Sequence, residues 1–113
     1  MIDGLVMGRV QGQPVERLSK TEKIYALAKV KAIASDGEHI IVNVIAFDDA
    51  PVAALLGLND GDSISLAGSL TPKVWTDREG VNRPSLDMVA HQILTAYHVN
   101  DRRQSLFKNE DQS

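Results

Sequence analysis

The chain has 113 residues, 43% of them apolar and 4% aromatic, with 12 Lys and Arg against 15 Asp and Glu and no cysteine. That length is one domain with a core of its own, and the lack of cysteine excludes a disulfide framework, a thiolate metal site and a cysteine nucleophile. A net charge of -3 excludes the uniformly basic surface typical of phosphate binders, so any nucleic-acid affinity has to come from a segregated patch. In chain order, Ile2 to Val10 reads as a strand, Gly12-Gln13-Pro14 as a turn and Val15 to Lys20 as a short connection. Ile24 to Ala34 places Ala26, Ala28, Ala32 and Ala34 on one parity, and Tyr25, Leu27, Lys29, Lys31 and Ile33 on the other. In a strand these two sets face opposite ways, so Lys29 and Lys31 share a side. The alanine content suits a helix equally well, and periodicity alone does not separate the two.

Ser35-Asp36-Gly37-Glu38 has Asp-Gly at its centre and predicts a hairpin turn. Ile40 to Phe47 is rich in β-branched residues and predicts a strand with Ile41, Asn43, Ile45 and Phe47 on one face. A short helix follows, with Asp49 as its cap, Pro51 in its first turn and Gly57 at its end. After the turn Asn59-Asp60-Gly61-Asp62, Ser63 to Leu70 alternates and Lys73 to Thr76 continues extended. Asp77 to Asn82 is a polar hairpin tip, and Ser85 to Ile93 is the closing strand. The expected domain covers residues 1–96, and 97–113 reads as a polar, flexible tail. Three strands, a helix and two more strands give an all-β fold, a five-stranded OB barrel with one short helix between strands 3 and 4.

Several segments, in order, resemble the bacterial-type single-stranded DNA-binding proteins. They are Val6-Met7-Gly8-Arg9-Val10, Pro14-Val15-Glu16-Arg17, Val44-Ile45-Ala46-Phe47 and Leu58-Asn59-Asp60-Gly61-Asp62-Ser63-Ile64. The most specific is Leu66-Ala67-Gly68-Ser69-Leu70 with Trp75-Thr76-Asp77-Arg78-Glu79-Gly80-Val81-Asn82-Arg83. The resemblance spans Ile2 to Leu94 and implies an OB barrel that wraps unpaired DNA in replication, recombination or repair. It also implies a homo-oligomer, dimer or tetramer, assembled through Ile2 to Val10, in a cytoplasm of bacterial, plasmid or phage origin. Trp75 and Phe47 match positions where relatives stack an aromatic on DNA, and Ile41 falls where many carry tryptophan. A further family tryptophan, after strand 2, has no counterpart because the Ser35–Glu38 turn is shorter. The chain ends Asn109-Glu110-Asp111-Gln112-Ser113, without the family's linker and acidic recruiting tail.

Each candidate has a plainer alternative. Trp75 stands among Lys73, Thr76, Asp77 and Arg78, a setting that suits a base-stacking platform; barrel packing or an assembly contact is the other reading. Phe47 is a stacking residue or a core residue, and Ile41 a base contact or ordinary sheet packing. Lys29 and Lys31 are phosphate contacts or a solvated face. Lys73, Arg9 and Arg83 are further basic candidates, Arg78 sits where a hairpin tip could close over DNA, and Arg17 reads as a structural ion pair.

His39, His91 and His98 lack metal-ligand spacing, and capping and turn chemistry accounts for Asp48, Asp49, Asp60 and Asp62. No nucleophile elbow, phosphate loop or serine–histidine–acid pattern is present, so neither catalytic residues nor cofactors are expected. No apolar run approaches the roughly 18 residues that span a bilayer, and Met1-Ile2-Asp3-Gly4 lacks a secretory pattern; no membrane partner is expected. Two other functions fit the same barrel: a primosomal-type replication-restart accessory protein, and an OB module that binds proteins and has lost DNA binding.

Overall fold

A computed structural model describes residues 2–95. The tail read at 97–113, with Tyr97 and His98, lies outside the described residues. The elements run β1 (Ile2–Leu18), β2 (Ile24–Ile33), β3 (His39–Ala46), α1 (Asp49–Leu56), β4 (Ser63–Thr76) and β5 (Asn82–Thr95). The strands close in the order β1-β2-β3-β5-β4, with β3 and β5 parallel and every other pair antiparallel. This is the OB barrel that the element order predicted.

The alternation along each strand determines what the barrel buries. Ala26 and Val30 of β2, Val42, Val44 and Ala46 of β3, Leu66 of β4 and Met88 and Ala90 of β5 point inward and are buried. The alanine-rich segment is therefore a strand, and its alanines are small because they face the closed interior. Leu55 of α1 and Leu58 just after it are buried with this core. Asp48, not Asp49, is the N-cap; it makes no side-chain capping bond, and Asp49 stands in the first turn, where its charge suits the positive end of the helix.

β1 is longer than predicted. Residues 2–9 pair with β4, and residues 8–18 pair with β2. The expected turn at Gly12-Gln13-Pro14 is instead a register shift between Gln11 and Val15. Gly12 adopts φ 76° there, a conformation glycine takes without a Cβ penalty. The α1–β4 loop holds this kink: the Gly12 N–H donates to Asp60 Oδ1 at 2.7 Å, and Gln13 Nε2 donates to the Leu58 carbonyl at 3.1 Å. A second shift, between Ala67 and Gly68 of β4, leaves His91 of β5 without a register partner. A Cβ on Gly68 would overlap the Val89 carbonyl, so the close approach of β4 to β5 requires glycine here.

Candidate nucleic-acid interface

Residues directly opposite one another in a sheet point to the same side. The registers therefore arrange the outward side chains in rows across the barrel. One row runs Gln11, Lys29, Asn43, Asp87, Thr71; the next runs Arg9, Lys31, Ile41, Ser85, Lys73. Four of the predicted residues (Arg9, Lys31, Ile41 and Lys73) thus share one row, and Lys29 is in the row beside it.

The charges on this face are unequally committed. Asn43 Nδ2 donates to Asp87 Oδ1 at 3.2 Å, and Lys73 Nζ lies 3.9 Å from Asp87 Oδ2. Arg9 Nη1 donates to the Gly61 carbonyl at 3.1 Å. Lys29 and Lys31 are exposed and make no ion pair among the described residues. Lys31 even stands directly opposite Arg9, a like-charge arrangement that is unfavourable unless an anion comes between.

Trp75 projects from the arm of the β4–β5 hairpin, where the strands run past the barrel and both faces are open. Trp75 is 46% exposed and its neighbour Val74 71%, which excludes barrel packing for this tryptophan. Arg83 lies opposite it on β5. The tip beyond is organised by one carboxylate. Asp77 Oδ1 accepts from the Glu79 and Val81 N–H groups, each at 2.9 Å, and Oδ2 accepts from Arg83 Nε at 2.8 Å. Gly80, with φ 80°, completes the reversal. The Arg83 hydrogen bond, followed by that from Val81, holds the Asp77 carboxyl below its ordinary value of 3.8. Arg83 is thus a strut of the hairpin, its charge already met. Arg78 is exposed on the tip with no ion-pair partner among the described residues.

Phe47 follows the last residue of β3 and is 53% exposed, so the core reading fails. Its ring stands 6.0 Å from that of Tyr25, tilted by 37°. Tyr25 was not among the predicted site residues, although it shares a parity with Lys29 and Lys31. Its place beside Phe47 depends on the β2–β3 register, Ala26 opposite Ala46. Arg17, read as a structural ion pair, makes none among the described residues; it lies opposite Tyr25 on the same outer face. Ile41 is half-buried between Lys31 and Ser85.

Among the described residues no group of three or more His, Asp or Glu is placed to hold a metal. No helix among them is long and apolar enough to cross a membrane.

No family model and no curated protein matches the sequence. Solved structures do match. A small single-stranded DNA-binding protein from Streptomyces coelicolor aligns with a TM-score of 0.66 and 24% identity, over 83% of this chain and 93% of that one. The mitochondrial single-stranded DNA-binding protein Rim1 of S. cerevisiae aligns with a TM-score of 0.63 and 16% identity, over 84% and 94%. At these identities the likeness is one of fold: this chain is the same kind of OB barrel, matched along nearly the full length of both proteins.

Proposed function

We propose that this protein binds single-stranded DNA with little regard to sequence, in the handling of unpaired DNA during replication, recombination or repair. Bases stack on Trp75 and Phe47, and Lys29, Lys31, Lys73 and Arg78 follow the phosphates, with Arg9, Arg83 and Ile41 at the margins. The observation that carries this reading is a half-exposed tryptophan on a projecting arm, at the end of a barrel face bearing two uncommitted lysines. Every base has a face that stacks, so such a platform is tolerant of sequence. The Streptomyces coelicolor and S. cerevisiae proteins whose barrels align with this one are single-stranded DNA-binding proteins. A negative net charge does not oppose this, because the four aspartates between Asp48 and Asp62 lie at the helix and the turn after it, and Asp60 and Asp62 are already engaged there by the backbone N–H groups of Gly12 and Asn59.

The same reading includes self-association through β1. Residues 2–7 pair with β4 on one edge and have no register partner on the other among the described residues. Leu5 and Met7, each 68% exposed, lie on the outer face of this strand. An open strand edge bordered by apolar side chains is a template for a second copy. A foreign partner is the weaker assignment, since open edge and apolar side chains belong to one strand.

Labelled oligo-dT tests the DNA reading. The native protein should raise its anisotropy at low salt, and Trp75→Ala should weaken binding about 5- to 150-fold, as expected from roughly 1–3 kcal/mol per stacked base. A Trp75→Ala variant that binds as tightly as the native protein would remove Trp75 from the site.

A further inference from the structure

The outer face has two aromatic ends, and the second is as complete as the first. Arg17 of β1 lies opposite Tyr25 of β2, and the Tyr25 ring meets that of Phe47 at 6.0 Å. A cation, a phenol and a phenyl ring therefore follow one another across three neighbouring strands. The arginine has no carboxylate partner among the described residues. The nearest acid in sequence to Phe47 is Asp48, and its carboxylate is 3.9 Å from Nδ1 of His91 on β5. An exposed phenylalanine braced by a half-buried tyrosine, next to an unpaired guanidinium, has the chemistry that takes one base and one phosphate.

We infer that Arg17, Tyr25 and Phe47 form a second nucleotide station, which is engaged only by strands long enough to reach it from Trp75. This rests on the proposed single-stranded DNA reading and adds to it the dimension of the site. Trp75 is level with Arg83 on β5, and Ile45 is level with Val89, six residues further along. Phe47 lies two residues beyond Ile45. At roughly 3.3 Å per residue the two stations are about 26 Å apart along the strands. A strand at the stacked spacing of about 3.4 Å per phosphate covers that distance with about eight nucleotides, so a strand of four held at Trp75 falls short of the second station. Between the stations lie Lys29 and Lys31 and the row Val15, Leu27, Ile45, Val89, an apolar floor with cations along one side.

Titrating the full chain with dT4 and with dT16, while following the fluorescence of Trp75, separates the two stations. Trp75 is the chain's single tryptophan, so quenching by dT4 reads the first station. Tyr25→Ala should weaken dT16 binding about fivefold or more, the lower end expected for one stacked base, and change dT4 binding less than twofold. Tyr25→Phe, which keeps the ring, should retain native affinity for both. Arg17→Gln, on an exposed strand position, should lower the log–log salt slope for dT16 by about 0.7 and leave the slope for dT4 unchanged; it carries the test if Tyr25→Ala fails to fold. Equal dT16 affinity in native protein, Tyr25→Ala and Arg17→Gln would overturn the second station while leaving Trp75 as a binding site. Absence of quenching in the native protein by either oligonucleotide would overturn the DNA reading itself, and the station with it.

Discussion

The division of the cations into committed and uncommitted groups predicts which of them set the salt dependence of binding. Lys29 and Lys31 make no ion pair among the described residues, whereas Arg83 donates to Asp77 at 2.8 Å. Each phosphate neutralised on a single strand contributes about -0.7 to the slope of log affinity against log salt. Replacing both lysines, Lys29→Gln with Lys31→Gln, should therefore flatten the slope by about 1.4. Over a fourfold rise in salt, the native protein should lose about sevenfold more affinity than the double variant. Arg83→Gln should flatten the slope by much less than 0.7, because its charge is already offset by Asp77 before DNA arrives. The assay is anisotropy of a labelled oligo-dT from 50 to 400 mM salt, with thermal melting of each variant as a fold control. A double variant with the native slope would refute the assignment of these lysines to phosphate. An Arg83→Gln slope as flat as that of the double variant would refute the division between free and tied cations.

Three further outcomes follow from the structure. The Asp77 carboxyl titrates below its ordinary value of 3.8 in the folded hairpin, so its contribution to hairpin order is complete above the unfolded value and drains away as pH falls through the lower folded one. Trp75 emission should show a step below about pH 4 in native protein and none in Asp77→Asn; equal steps in both would contradict this. Gly68→Ala forces a Cβ into the Val89 carbonyl and should cost about 2 kcal/mol or more, read as a fall in Tm of about 8 °C or more; an unchanged Tm would mean that β4 and β5 separate freely at this bulge. Leu5→Lys with Met7→Lys should convert a native dimer or tetramer to monomer in sedimentation, and a native protein that is monomeric at micromolar concentration would contradict assembly through β1.

The strands and their faces were legible because alternation is a local property. Val42, Val44 and Ala46 against Asn43 and Phe47 could be sorted without knowing any partner strand, whereas Ala26 and Ala28 against Lys29 and Lys31 could be sorted only on the strand reading of a segment whose alanines suit a helix equally well. What was missed depends on partners distant in sequence. The Gly12 kink is held by Asp60 and Leu58, and nothing near Gly12 announces that the chain continues as one strand rather than turning. Tyr25 joins Phe47 only through the β2–β3 register, and Arg17 joins Tyr25 only through the β1–β2 register after the bulge. Arg83 looked like a free cation because its partner, Asp77, reads equally well as a turn residue; it is both. The candidate site was thus half visible: its residue types came from the sequence, whereas their grouping into two ends of one face came from the pairing of strands.

Intrinsic fluorescence of Trp75 during titration with oligo-dT tests the central claim most directly, because the one tryptophan in the chain is the proposed platform. Stacking on a base should quench it saturably at micromolar protein, and rising salt should reverse the quenching. An emission that stays unchanged through the titration, at low salt and with folded protein, would contradict the account.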